Sequence, residues 1–161
     1  MKMPFSVRPY RPEDALSLVD IFVRAINDLG PKDYSSEQVT AWAALAPTAE
    51  AFHQKMSDGR TTLVAAGVDD RPVAFCDLEA DGHIDLFYCH PSAAGKGATT
   101  PLYHAIEDRA RSQNQRRLYT EASEAAQRFF LRQGFSNLGR RDFTIGDVAI
   151  HNYAMEKALA I

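Results

Sequence analysis

Residues 90–101, His-Pro-Ser-Ala-Ala-Gly-Lys-Gly-Ala-Thr-Thr-Pro, set two glycines around a lysine after an apolar run and before a helical pattern. A strand that passes through such a turn into a helix leaves backbone N–H groups at the helix start without intrahelical acceptors, backed by the positive end of the helix dipole. That arrangement seats a phosphate. Side chains at Gly95 and Gly97 would hold the phosphate oxygens away from the amides, and the turn can require positive φ there. Pro101 suits a first helical turn, where its missing N–H removes a donor the helix does not use. The expected anion seat runs through Gly95, Lys96, Gly97, Ala98, Thr99 and Thr100, with Lys96 either adding charge or simply facing solvent.

Spacing narrows the ligand. The Gly-x4-Gly-Lys-Ser/Thr pattern of a nucleoside-triphosphate loop is absent. Gly95 and Gly97 are the first two glycines of a dinucleotide fingerprint, and Glu121 ends a later strand where a ribose-binding acid would stand. Thr100 occupies the third glycine's place, however, and three strands precede the motif where a dinucleotide fold should begin with it.

Other residues carry chemistry by type and setting. Asp85 and Glu79 are acids inside apolar strand-like runs, which makes each a candidate general base or else a solvent-facing carboxylate. Strand alternation would put Asp85 on the face of Phe87 and Cys89, opposite Leu86 and Tyr88. Tyr88 and Tyr153 are candidate proton donors, with core packing as the plainer role. His90 and His151 are of the residue type that exchanges protons most readily in the physiological range and are candidate proton relays, with a structural or exposed role as the plainer one. Five scattered histidines do not make a metal site, and Cys76 and Cys89 read as buried reduced thiols without zinc spacing.

The frame that must position these groups is bounded by 161 residues, enough for one domain spanning 1–161 with its own core. Eighteen Lys and Arg against 21 Asp and Glu, interspersed, give a net charge of -3 and no nucleic-acid surface. No stretch suggests a membrane span, and the first residues lack a leader's apolar segment, so the expected location is cytoplasmic.

Residues 5–8 read as an edge strand, and Pro12 opens a helix with Leu16, Val19, Phe22, Val23 and Ile26 at helical spacing. Ser35-x-x-Gln38 forms a capping box for a second helix, and Thr48 caps a third. Trp42 and Tyr34 in this region are placed to line a substrate pocket or to pack it. Runs at 61–66, 72–78 and 83–89 form an expected antiparallel meander. After the glycine loop come a helix to about Asn114, a strand at 117–120, a short helix closed by Gly134, and two final strands.

This order resembles the GNAT superfamily of acyl-coenzyme-A-dependent N-acyltransferases. Three stretches carry the likeness: Asp85-Leu-Phe-Tyr-Cys-His-Pro91 leading into Ala94-Gly-Lys-Gly-Ala-Thr99, Ala126-Gln-Arg-Phe-Phe-Leu-Arg-Gln-Gly-Phe135, and the closing Asn152-Tyr-Ala-Met-Glu-Lys157. Together they cover the chain from about residue 60 onward. Ala94 stands where the family's loop has Gln or Arg, Thr99 where it has Gly or Ala, Phe130 where many members place an acid tyrosine, and Glu124 where an asparagine is often used near the pantetheine.

The resemblance implies an α+β fold: a three-layer α/β/α arrangement around a mixed, mainly antiparallel sheet of six or seven strands. It also implies that the strand before the loop splays from its neighbour. Backbone groups of Leu86, Phe87, Tyr88 and Cys89 would then bond the pantetheine, with Phe129 or Phe130 against it. The expected reaction is direct acetyl transfer from acetyl-coenzyme A to a primary amine, in a monomer or homodimer. A thiolate, with a reference pKa near 8.5, leaves without a dedicated acid, whereas an ammonium near 10.4 must lose a proton before it attacks. A non-catalytic acyl-coenzyme A sensor or degenerate partner subunit is the alternative, and a purely structural module the third.

Overall fold

The computed structural model describes residues 4–160. The first three residues of the stretch read for a leader, and Ile161, lie outside that range. Seven strands and five α-helices follow in the order β1 (Ser6–Pro9), α1 (Ala15–Leu29), α2 (Ser36–Ala43), α3 (Ala49–Met56), β2 (Thr61–Ala66), β3 (Pro72–Leu78), β4 (Phe87–Cys89), α4 (Thr99–Ser112), β5 (Arg117–Ala122), α5 (Glu124–Arg132), β6 (Ser136–Ile145) and β7 (Val148–Ala158).

The strands form two sheets, β1-β2-β3-β4 and β5-β7-β6, and every pair within them is antiparallel. A single parallel bridge, His83 to Tyr119, joins them. The α+β fold with seven strands stands as expected, with the sheet divided in two.

Helices cover both faces. Ala65, Ala74 and Cys76 of the first sheet, with Leu118 and Met155 of the second, pack with Leu102, Ile106 and Phe130 of α4 and α5. Val64 and Phe75, one residue out of phase, pack instead against Leu18 and Ile21 of α1 and Phe52 of α3. The period of two in a strand thus sends alternate side chains into separate cores. Phe22, Ile26, Tyr34 and Val39 form a third cluster with Ile150 of β7.

Local chemistry sets the helix ends. Ser35 and Gln38 make the expected reciprocal box, and Thr48 and Ser123 accept N–H bonds from Ala51 and Ala126. Pro12–Asp14 is a single 3₁₀ turn rather than the start of α1. The buried stripe of α1 is Ala15, Leu18, Ile21, Phe22, Ala25 and Ile26, and Leu16 is left exposed. Both stripes satisfy helical spacing, and the one that meets the flat sheet includes the small residues Ala15 and Ala25.

The third meander strand is much shorter than the apolar run 83–89. Only Phe87–Cys89 forms a ladder strand with β3, because residues 82–84 are drawn toward β5 before the chain turns back to β3 at Asp85 and Leu86.

Candidate active site

The split between the sheets is built by hydrogen bonds on either side of a kink. Ile84 donates its N–H to the Tyr119 carbonyl at 2.8 Å, and Tyr119 donates to Gly82 at 3.1 Å. Thr120 Oγ1 donates to the Ile84 carbonyl at 2.8 Å. Gly82 has φ +94°, and a Cβ there would lie 2.1 Å from the Arg117 carbonyl oxygen, so the approach of this segment to β5 requires glycine.

One residue further, Asp77 takes over. Its Oδ1 accepts the N–H groups of both Asp85 and Leu86 at 2.8 Å, and its Oδ2 accepts from Arg60 Nη1 at 2.7 Å. Asp77 is wholly buried. Burial pushes its carboxyl up, while the backbone N–H bonds and Arg60 pull it down. With successive amides tied to one oxygen the strand cannot keep its alternation. The Asp85 side chain consequently emerges toward Lys55 of α3, on the side where Leu86 and Tyr88 pack, rather than with Phe87 and Cys89. This corrects the alternation expected for Asp85.

Beyond the kink, β4 pairs with β3 alone. The Leu86 carbonyl accepts from Asp77 N–H at 3.1 Å, and His90 N–H donates to Val73 at 2.7 Å. In an antiparallel ladder, residues two apart face the same neighbour. Leu86, Tyr88 and His90 therefore turn their backbone groups into the sheet, and Phe87 and Cys89 turn theirs to the unpaired edge. Of the four residues expected to offer backbone groups, these two do so.

At the end of that edge lies the glycine loop. Gly95 and Gly97 have φ +73° and +90°, values that favour glycine, and a Cβ at either would meet open space. Ala94 and Lys96 use their N–H groups inside the loop, donating to Pro91 and Ala93 at 3.2 and 3.1 Å. Among the described residues the amides of Gly95, Gly97 and Ala98 meet no acceptor, and Thr99 and Thr100 begin α4, whose first N–H groups lack intrahelical partners. Ala98 is buried against Leu102, and the Lys96 side chain is exposed. A cleft of about 280 Å³ runs from Gly95 and Thr99 past Phe87 and Cys89 to Phe129 and Arg132 of α5. Phe130 does not line it but is buried in the main core. Burial pushes the Cys89 thiol up to about 11, so it is not a ready nucleophile.

A second cavity of about 430 Å³ opens on the α1–α3 side. Tyr34, Trp42, Phe87, Tyr88, Ser123 and Ala126 border both spaces, so the two meet at the split. The expected pocket role of Trp42 and Tyr34 corresponds to this position. Tyr88 stacks among Phe22, Phe75 and Trp42, and burial pushes its hydroxyl far above the usual range.

The candidate acids separate. Asp85 borders the large cavity but is held by Lys55 at 2.8 Å and Arg60 at 3.4 Å. Glu79 bonds His83 Nδ1 at 2.8 Å and does not border the cavity. His83 Nε2 faces Glu121 at 2.8 Å. Burial acts against a charged ring, but the two carboxylates outweigh it and raise the His83 pKa. Glu79, His83 and Asp85 place ligand atoms within 4.8 Å of one another, yet Lys55 and Arg60 beside Asp85 oppose a divalent cation.

Around the split lies a connected polar group. Glu124 donates its backbone N–H to the Tyr34 hydroxyl at 3.1 Å, and that hydroxyl donates to the His151 carbonyl at 3.1 Å. His151 Nε2 lies 2.6 Å from Glu124 Oε2, which also accepts from the Tyr153 hydroxyl at 2.9 Å. Burial pushes the Glu124 carboxyl up, but its bonds with His151 and Tyr153 prevail and hold it below the usual carboxylate range. Burial raises Tyr34 to about 12, and the Glu124 hydrogen bond raises Tyr153. His151 borders the large cavity, and among the described residues its Nδ1 has no partner. His90 instead caps the turn after β4, with Ser92 N–H donating to its Nδ1 at 3.0 Å.

Asp77 and Arg60 escaped the sequence reading, although Asp77 stands in the apolar run 72–78 and met the same criterion that singled out Asp85 and Glu79. Arg132 and Arg141, which border the two cavities, carry no distinguishing sequence signal.

No helix among the described residues is long and apolar enough to cross a membrane. A crystal structure of a GCN5-related N-acetyltransferase from Rhodopseudomonas palustris is 36% identical, with 99% of this chain and 98% of that one covered and a TM-score of 0.89. PaiA N-acetyltransferase from Thermoplasma acidophilum, solved in complex with coenzyme A, shares the fold at 16% identity and TM-score 0.76, covering 99% of this chain and all of that one. The uncharacterized N-acetyltransferase YafP of Escherichia coli strain K12 is 26% identical over 82% of this chain and 81% of its own. The model of the acetyltransferase (GNAT) domain matches residues 31–157, and the chain belongs to that family as an acetyltransferase.

Proposed function

We propose that the chain, acting as one N-acetyltransferase domain, moves an acetyl group from acetyl-coenzyme A directly to a primary amine. The observation that carries this reading is the continuity of an unpaired β4 edge with the open amides at the start of α4. The amides of Gly95, Gly97, Ala98, Thr99 and Thr100 receive the pyrophosphate, with Arg132 supplying nearby charge. The pantetheine lies along Phe87 and Cys89 like an added strand, with Phe129 beside it. PaiA's complex with coenzyme A supports the same assignment by analogy of fold.

At the junction of the cavities, the amine attacks the thioester carbonyl. An N–H on the β4 edge steadies the developing oxyanion. His151 Nδ1 takes the proton from nitrogen as the N–C bond forms, and Glu124 orients the ring and stabilises its cation. The C–S bond then breaks and coenzyme A leaves as thiolate. Phe130, whose ring has no ionisable proton, contributes no acid, and Asp85 and Glu79 serve in ion pairs rather than as bases. Tyr88 lines the site and Tyr153 holds Glu124, and neither donates a proton to sulfur. A cytoplasmic location agrees with the free thiols of Cys76 and Cys89.

The test is thiol release from acetyl-coenzyme A across a panel of amines, beside calorimetric binding of coenzyme A. Amine-dependent release supports transfer. Binding without release would establish the sensor reading, and absence of binding would defeat both.

A further inference from the structure

The charges bordering the large cavity are mostly neutralised within the protein. Lys55 and Asp85 pair at 2.8 Å, and Glu121 faces His83 at 2.8 Å. Arg141 is different. Its Nη1 donates to Asn152 Oδ1 at 2.9 Å, and among the described residues no carboxylate lies within ion-pair distance of it. The neighbouring Arg140 and Asp142 pair with each other at 2.9 Å, and alternation along β6 places them on the opposite face from Arg141 and Phe143. Arg141 thus stands in the cavity wall with one nitrogen steadied and its remaining donors open.

Across the sheet, Asn152 stands between Arg141 and the β5 end that reaches the junction, and beside this row the cavity is lined by the apolar Phe143, Ile145 and Ile150, with Trp42 and Leu45 also bordering it. β6 lies two strand positions from β5, roughly 10 Å at the usual spacing. An amine delivered to the split can therefore carry an anionic group on an apolar body and set that group on Arg141.

We infer that the acceptor is an amine with an apolar, preferably aromatic, body and a carboxylate at its far end, bound by Arg141. This rests on the transfer reading above and names the class of acceptor. A guanidinium fork matches a carboxylate in two parallel bonds, which a neutral body or a second cation cannot use.

The experiment compares phenethylamine with its para-carboxylated analogue as acceptors, in the wild-type protein and in Arg141→Gln and Arg141→Lys. The wild type is expected to favour the carboxylated amine by about tenfold or more in kcat/KM, since hydrogen bonds to a charged group are stronger than those between neutral partners. That ratio should fall to about one in Arg141→Gln and be partly kept in Arg141→Lys. A ratio near one in the wild type, or an undiminished ratio in Arg141→Gln, overturns the proposal. Calorimetric titration with para-ethylbenzoate, which has no amine, separates the two readings. If neither amine releases thiol, transfer fails, while benzoate binding that is lost in Arg141→Gln still supports the carboxylate seat and absence of wild-type binding removes it.

Discussion

The two cavities that meet at the split are made of different material. One wall of the narrow cleft is main chain, the edge of Phe87 and Cys89 leading to the amides at Gly95 and Thr99, and it faces side chains such as Ile26, Phe129 and Arg132. The wide one is lined by residues of α1, α2, α3 and α5 and of β4, β5, β6 and β7. A backbone surface offers the same donors whatever residues carry it, provided the local conformation is held, so the departures at Ala94 and Thr99 from the family's loop pattern leave the loop's main-chain donors in place. A side-chain surface changes with every substitution. The first suits a constant ligand and the second a particular one.

The comparison is broken most severely by removing what holds the backbone wall in shape. Asp77→Ala leaves Arg60 buried without its inward partner and strips Asp85 and Leu86 of their acceptor. We expect a loss of about 3–5 kcal/mol in urea unfolding, the range for breaking a buried ion pair. A loss below about 1 kcal/mol would mean the kink is held by other contacts.

Next in size is the chemistry at the junction. His151→Gln should lower kcat by about 100-fold or more with little change in coenzyme A binding, as expected for loss of a general base. An unchanged pH–rate profile in this variant would exclude His151 as that base.

Gly97→Val tests the backbone wall at its ligand end. With φ +90° the valine is strained at roughly 1–2 kcal/mol, and relaxation would turn amides away from the phosphate. Coenzyme A affinity should fall at least about tenfold, while the kcat/KM ratio between the two phenethylamines stays constant. A change in that ratio would show the two walls are not independent.

The smallest effect concerns the bridge between the two sheets. His83 has a raised pKa between Glu79 and Glu121, so its contribution to stability is complete below the unfolded value near 6.5 and disappears as pH rises through the higher folded value. His83→Gln should abolish a pH-dependent decrement of about 1 kcal/mol or less across that window, read as the difference between urea midpoints. Glu124 behaves oppositely: its depressed carboxyl stabilises above its unfolded pKa and loses that effect as pH falls through the folded one.

Much of this was legible before any coordinates. Gly95, Gly97 and Pro101 announced a strand, turn and helix start because positive φ and a missing N–H are tolerated at few places. Ser35, Gln38, Thr48 and Gly134 marked helix ends through bonds made within a few residues. The run 83–89 misled because apolar composition does not disclose that a distant carboxylate will capture two of its amides.

The sequence alone therefore determined the order of elements, the glycine turn that opens α4 and the family, all of which depend on short-range backbone preferences and residue periodicity. Only the tertiary structure decided that Asp85 is an ion-pair partner, that His151 of β7 meets Glu124 of α5, and that Arg141 meets Asn152 and, among the described residues, no carboxylate. Those outcomes depend on which charges from distant segments meet at hydrogen-bonding distance, and spacing along the chain carries no record of that.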